Sequence, residues 1–167
     1  VYKRQALILT ACGGSASKGG DKDSLVIAQA SDAESMDPII QNSIYAENII
    51  KQIYDTLLVR KPDGSMENRL AESIEQPDDL SYVIKLREGV KFSNGEDLTS
   101  EDVAYTLNRA AQSDAYGYIY EQIDPNSYDT SDPLVLKFKL TKPDATFTAA
   151  LAHPAASIVD KTTTEAD

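Results

Sequence analysis

Two segments of this 167-residue chain alternate between apolar and polar side chains, and they constrain its fold more than any other feature. In "LVLKFKL", residues 134–140, leucines and a phenylalanine face one way and two lysines face the other. "SYVIKLR", residues 81–87, repeats the pattern with Tyr82, Ile84 and Leu86 on one face. Successive side chains of a strand point to opposite faces, so each segment is predicted to be a half-buried strand.

Helical patterns occur before and between these strands. Residues 44–57 carry apolar side chains three and four positions apart, which predicts an amphipathic helix. A second helix is predicted after Thr99, because the Thr99 hydroxyl can accept from the Asp102 amide while the Asp102 carboxylate reaches back. A short helix is predicted over residues 145–152.

The remaining elements are predicted from apolar runs and turn residues. They are a buried strand over 25–31, a strand and turn over 57–65, a turn at Asn94-Gly95 and a final strand over 157–159. Strands are about as frequent as helices, and their connections are often hairpin-like. The fold class is therefore predicted to be α+β, with a mostly antiparallel sheet and flanking helices.

The acidic balance of the chain argues against two kinds of partner. A net charge of −11 would repel the phosphates of nucleic acid, and it disfavours broad attraction to anionic lipid headgroups. The sequence has no run of 18 apolar residues, so no internal membrane-spanning helix is expected. A single cysteine allows neither an internal disulfide nor a thiolate metal cluster.

That cysteine, Cys12, follows a pattern typical of a secretory signal. Lys3 and Arg4 precede an apolar run over residues 6–11, and small residues follow it. The run is shorter than the ~7–15 residues of a usual signal core, so residues 1–12 are expected to be a truncated signal peptide. A lone cysteine is otherwise a buried small hydrophobic residue or an incidental surface thiol.

The next segment divides the chain into its expected parts. Residues 13–23 are rich in glycine, serine and charged residues, and they are predicted to form a flexible linker with a reach of about 20 Å. Residues 24–167 are predicted to be the folded part. We expect this part to be a fragment of a longer protein.

Residues with catalytic chemistry are few and isolated in the sequence. His153 lies beside a proline in an apolar stretch, with no second ligand or nucleophile at a telling spacing, so it is interpreted as structural. The paired acids at 78–79, 96–97 and 101–102 lack the spacing of a calcium loop. No catalytic residue, metal ion or cofactor is expected.

Tyrosines are concentrated in one region, at positions 105, 116, 118 and 120. Tyrosine combines an apolar ring with a polar tip, which suits a half-buried ligand. The alternative interpretation is a half-exposed segment that lies over the core. The first interpretation makes this region a candidate ligand-binding lip. The second makes it a segment that covers the hydrophobic core.

Two long stretches carry linked motifs. The first, residues 54–109, contains "LAES", "KLREGVKFSNG" and "LTSEDVAYTLNR". The second, residues 139–161, is "KLTKPDATFTAALAHPAASIVDK". Together they resemble the extracellular solute-binding proteins of family 5, the peptide- and nickel-type binding components of bacterial ABC importers.

The resemblance implies a fold and a role. The fold is a periplasmic-binding-protein-like clamp of class II (cluster C), whose two lobes close over a solute, and this chain would form part of its N-terminal lobe. The role is not enzymatic. It is capture of an extracytoplasmic solute and delivery to an ABC permease whose ATPase subunits hydrolyse ATP. The expected ligand is an oligopeptide, with nickel, haem and sugar left as alternatives, and the expected state is a monomer.

The resemblance also assigns roles to individual residues. The segment "LTAC", ending at Cys12, resembles a lipobox, which implies lipid attachment at Cys12 and a location at the outer face of the cytoplasmic membrane or in the periplasm. Asn42, Ser43 and Ile44 match the segment that runs along an extended ligand in peptide-binding members. Tyr116 or Tyr118 matches a tyrosine that lines the site. The alternative function is a surface lipoprotein for adhesion or sensing that reuses this lobe without transport.

Overall fold

The structure is a computed structural model that describes residues 26–33, 35–40 and 43–164. Its helices are α1 (Ile44–Ile53), α2 (Ser100–Ala111), α3 (Gly117–Tyr120), α4 (Phe147–Ala150) and α5 (Lys161–Thr164). Its strands are β1 (Leu58–Arg60), β2 (Met66–Asn68), β3 (Ala71–Glu75), β4 (Ser81–Leu86), β5 (Asp129–Asp132) and β6 (Val135–Lys139). A 3₁₀ turn covers Pro154–Ala156.

A four-stranded antiparallel sheet, in the order β3-β4-β6-β5, carries the core. Its middle strands, β4 and β6, lie within the two alternating segments. Their register places Tyr82 opposite Phe138 and Ile84 opposite Leu136, and each of these four side chains is at most 1% exposed. The predicted α+β class with an antiparallel sheet is therefore confirmed.

Aromatic side chains fill the centre of the buried sheet face. The rings of Tyr82 and Phe138 stack with their centroids 5.3 Å apart and their planes at 6°. Phe147 from α4 meets both rings edge-on, at 5.2 and 5.9 Å. These are the two arrangements that aromatic quadrupoles favour, so the cluster holds α4 in one orientation against the sheet.

Helix α2 covers the same sheet face. Val103, Leu107 and Ala110 lie on its buried side, as the apolar spacing predicts. The predicted capping box is present: the Asp102 carboxylate accepts from the Thr99 amide at 2.9 Å and from its hydroxyl at 2.6 Å. This arrangement pairs donors at the helix start that have no intrahelical acceptor.

Two predicted turns are confirmed by glycines in the left-handed region. Gly64 has φ +86° between β1 and β2, and Gly95 has φ +95° in the loop before α2. An L side chain is strained in this conformation, whereas glycine adopts it freely. At the first turn the Gly64 amide donates to Lys61 at 2.9 Å, which closes the β1-β2 hairpin.

The predicted buried strand over residues 25–31 is wrong for the residues that the structure describes. Residues 26–31 are irregular, and Val26 and Ile27 are 90% and 71% exposed. A continuous apolar run forms a buried strand only when neighbouring strands pair with its backbone. None of the described strands pairs with this segment.

The predicted final strand over residues 157–159 is also absent from the described sheets. The segment is buried, but its amides donate to separate acceptors. Ile158 donates to the Asp55 carbonyl at 2.9 Å, and Val159 donates to the Thr106 hydroxyl at 3.2 Å. Its apolar character therefore reflects burial between helices and loops rather than pairing in a ladder.

Two predicted helices are shorter in the structure. The helix predicted over 44–57 ends at Ile53, and Tyr54 is extended with φ −113° and ψ 155°. The carbonyl of Leu57 accepts from the amides of Arg69 and Ala71, so tertiary hydrogen bonds hold this stretch out of the helix. The helix predicted over 145–152 is reduced to the single turn of α4.

Two fully buried tyrosines allow a matched stability test. The Tyr82 hydroxyl has no hydrogen-bond partner, whereas the Tyr120 hydroxyl donates to the Ala150 carbonyl at 3.0 Å. We expect Tyr82→Phe to raise the free energy of unfolding by about 1 kcal/mol, because an unpaired buried hydroxyl is costly. Tyr120→Phe should lower it by about the same amount. Urea unfolding of both variants checks this, and destabilisation by Tyr82→Phe would contradict it.

Candidate functional site

The tyrosine segment divides its side chains between the core and solvent. Tyr116 and Tyr120 are 6% and 0% exposed, while Tyr118 on α3 is 71% exposed. A Cβ atom at Gly117 would lie 2.9 Å from the Ala111 carbonyl oxygen, so only glycine allows α3 to approach α2 this closely. Tyr116 and Tyr120 are therefore core residues, as the second interpretation expects, whereas Tyr118 projects into solvent and stays a candidate contact residue.

The other predicted contact segment lies at the start of α1. Ser43 is extended, with φ −84° and ψ 134°, and its hydroxyl accepts from the Tyr45 amide at 3.3 Å. Ile44 is 67% exposed. Asn42 and Cys12 lie outside the described residues. Ser43 is thus the N-cap of α1, and the exposed Ile44 side chain stands beside it.

Helix α1 packs near the 3₁₀ turn that His153 caps, and the ring of His153 contacts that of Tyr116. Burial raises the pKa of Tyr116, and the carboxylate of Glu47, in the first turn of α1, raises it further. The charge of Glu47 reaches His153 as well. We use the name tyrosine face for Ser43, Ile44, Tyr116 and Tyr118, the residues expected to contact a ligand, together with His153, whose ring packs on that of Tyr116.

The sequence analysis did not predict that His153 lies beside Tyr116. Its ring centroid lies 5.1 Å from that of Tyr116, with the planes at 60°. Its Nδ1 accepts from the Ala155 amide at 3.1 Å and so caps the 3₁₀ turn. Burial lowers the pKa of His153, which favours the neutral ring. The sequence shows a histidine beside a proline, but no local pattern indicates which ring it touches.

An open cleft of about 590 Å³ lies beside the segment that precedes α1. Its wall includes an ion pair in which the Arg109 guanidinium contacts both oxygens of Asp37, with Nη1–Oδ1 at 3.1 Å. The Ser113 hydroxyl donates to the Ile39 carbonyl at 2.7 Å. These contacts tie residues 35–40 to α2. The sequence did not indicate this pairing, because its members are far apart in the chain.

Two further kinds of feature, a metal site and a membrane-spanning helix, are not found among the described residues. Among them, no three histidine, cysteine, aspartate or glutamate side chains are grouped so that they could hold a metal ion. No helix within the described ranges is both long and apolar enough to cross a membrane.

Comparison with known proteins identifies the family. The sequence profile described as "Bacterial extracellular solute-binding proteins, family 5 Middle" matches residues 65–167. The chain belongs to this family. A curated member, the glutathione-binding protein GsiB of Shigella flexneri, is 32% identical over 147 residues, which cover 84% of this chain and 28% of GsiB. Family 5 proteins bind solutes and are not enzymes.

Solved structures of family 5 proteins share the fold. OppA of Listeria monocytogenes, solved with a bound peptide, is 26% identical and superimposes with a TM-score of 0.71 over 80% of this chain and 30% of OppA. A nickel ABC transporter protein of Bacillus halodurans is 30% identical, with a TM-score of 0.66 over 77% of this chain and 26% of that protein. The structural neighbours are two-lobed periplasmic binding proteins. The chain spans about a quarter to a third of their length.

The Asp37–Arg109 ion pair should contribute more to the free energy of unfolding than an exposed ion pair does. Their side chains are 20% and 25% exposed, whereas Lys85 and Glu72 form a pair in which each is nearly half exposed. We expect Arg109→Met to lower the free energy of unfolding by about 1–2 kcal/mol, because it leaves the Asp37 charge without its partner. Lys85→Met should change it by less than about 0.5 kcal/mol. Urea unfolding measures both; equal effects would count against the assigned role.

Proposed function

We propose that this chain is the amino-terminal part of a lipid-anchored receptor of an ABC importer, which captures an oligopeptide outside the cytoplasm. The observation that carries the proposal is the family match over residues 65–167, joined by 32% identity to a glutathione-binding protein over most of the chain. The receptor would deliver its solute to a permease, and separate ATPase subunits would hydrolyse ATP. It would act as a monomer.

The ligand class is supported by relatives and by side-chain chemistry. Glutathione is a tripeptide, and the Listeria relative was solved with a peptide. The tyrosine face offers an exposed ring at Tyr118 and the apolar side chain of Ile44. Tyrosine rings contact apolar parts of a ligand while their hydroxyls reach its polar groups. A short peptide presents both kinds of group.

The backbone beside the face is suited to a peptide main chain. Ser43 is extended, and the first amides of α1 have no acceptor within the helix. A ligand that runs along residues 42–44 could pair with these main-chain groups as an added strand does. Affinity would then come from the ligand backbone, and many side-chain sequences would be accepted.

Tight binding would require the second lobe. In a clamp, affinity comes from burying the solute between two lobes, and the tyrosine face covers only one side. We therefore expect residues 24–167 alone to show no binding of reduced glutathione or of alanine peptides of two to five residues by calorimetry. The complete gene product should bind one of these probes in the micromolar range. Micromolar binding by residues 24–167 would contradict the clamp.

The contact residues can be tested in the complete gene product. We expect Tyr118→Ala to weaken binding of whichever probe binds most tightly by at least about fivefold, or about 1 kcal/mol. The free energy of unfolding should change little, because the ring is exposed. Val59→Ala is the matched control, since Val59 is an exposed apolar residue on β1, an element that supplies none of the proposed contact residues. Equal effects of the two variants would remove Tyr118 from the site.

The anchor is proposed on the sequence alone. Lipid attached at Cys12 would hold the receptor at the membrane, and residues 13–23 would tether the folded part. Two acyl chains each contribute about 0.8 kcal/mol per buried CH₂, which is enough for stable anchoring. We expect labelled palmitate to be incorporated into the protein in bacterial cells and Cys12→Ser to abolish the incorporation. Equal labelling of this variant would refute attachment at Cys12.

A further inference from the structure

His153 makes two contacts that depend on each other. One edge of its ring accepts from the Ala155 amide through Nδ1 at 3.1 Å, and its ring lies 5.1 Å from that of Tyr116. The first contact fixes the orientation of the imidazole, because an acceptor atom must point at the amide. The orientation of the imidazole in turn sets the surface against which Tyr116 packs.

The first contact also fixes the protonation state. A nitrogen that accepts a hydrogen bond carries no proton, so Nδ1 is bare and the proton of the neutral ring resides on Nε2. An imidazolium carries protons on both nitrogens. Protonation would therefore set the Nδ1 proton against the Ala155 amide proton, and the cap of the 3₁₀ turn would be lost.

The charged groups around the ring come from the neighbouring elements. On α1, Glu47 favours the protonated form and Lys51 opposes it. Glu47 and Lys51 also form an ion pair with each other at 3.3 Å, so their opposite influences on the ring are coupled. Burial is the largest influence, and it lowers the pKa of His153 from its ordinary value of 6.5. The geometry and the burial both favour the neutral ring.

We propose that His153 is a positioning residue for Tyr116, and that its neutral form holds the tyrosine face in the conformation that binds solute. Protonation in mild acid would release the ring from the Ala155 amide and shift Tyr116. The inference deepens the proposed function, on which its consequence for solute binding rests. It makes the affinity of this receptor sensitive to acid through the one histidine of the 167-residue sequence.

The sign of the pH effect follows from the lowered pKa. Since the folded protein binds this proton less readily than the unfolded chain, the contribution of His153 to stability is complete above about pH 6.5. It is lost as the pH falls from there through the pKa of the folded state. If solute binding also requires the neutral ring, affinity falls over the same range. A difference of one pKa unit between free and bound receptor gives about a tenfold loss.

The positioning role can be measured in the 167-residue chain without any solute. We expect the ring NMR signals of Tyr116 to change between pH 7.5 and 5, with the same midpoint as those of His153. Glu47→Gln should keep this coupling but move the shared midpoint to lower pH, because Glu47 favours the protonated ring. Independent midpoints for the two residues, or a Tyr116 signal that follows Glu47 instead, would overturn the proposal.

Two substitutions separate the contacts of His153. His153→Asn retains a side-chain acceptor for the Ala155 amide but has no ring to pack on Tyr116, and asparagine is a favourable N-cap residue. His153→Phe retains a ring but has no acceptor. Neither side chain titrates, so the Tyr116 transition should disappear in both variants. A transition that persists in either variant would show that another group moves Tyr116.

The solute consequence is tested in the complete gene product, with reduced glutathione and alanine tripeptide as probes. We expect affinity to fall by up to about tenfold between pH 7.5 and 5, and this pH dependence to be lost in His153→Asn. If neither probe binds at any pH, the proposed peptide ligand fails while the NMR coupling still decides the positioning role. Binding with the same pH profile in His153→Asn would refute the link to affinity.

Discussion

The pairing of β4 with β6 is the interaction on which the rest of the described structure depends. It places Tyr82 against Phe138 in the middle of the sheet, and Phe147 of α4 packs on both rings. Helix α2 is attached to the same unit, since the amide of Ser100 donates to the Pro133 carbonyl at 2.7 Å. The sheet therefore sets the positions of the two helices α2 and α4.

The tyrosine face follows from that arrangement. Helix α2 ends where Gly117 lets α3 approach, and the hydroxyl of Tyr120 donates to the Ala150 carbonyl at the end of α4. Because α3 and α4 are linked in this way, Tyr116, which immediately precedes α3, contacts His153, which follows α4. The face thus rests on core contacts, and a substitution in the aromatic cluster would disturb it from a distance.

Much of the fold could be predicted from the sequence because its signals are local. The alternation around Ile84 and Leu136 predicted two central strands, and Thr99 with Asp102 predicted the start of α2. The apolar run over residues 25–31 misled the same reasoning. Burial in a strand depends on a partner, and an apolar sequence alone does not say whether one is present.

The candidate site was predictable only in part. Ser43, Ile44 and Tyr116 were selected through a family resemblance, whereas the role of His153 as a neighbour of Tyr116 was not foreseen. Contacts between residues far apart in the chain leave no periodic pattern, and the Asp37–Arg109 pair was missed for the same reason. Such contacts appear only when packing brings separate elements together.

By itself the sequence determined the periodicities, turns and caps of this protein, because these depend on residues within a few positions of one another. The positive φ of Gly64 and Gly95 is an example, since each is required by its own turn. Only the tertiary structure decided that Tyr118 faces solvent while Tyr120 is buried, and that His153 accepts from Ala155 beside Tyr116. These outcomes depend on packing between residues that are far apart in the chain, which no local sequence pattern encodes.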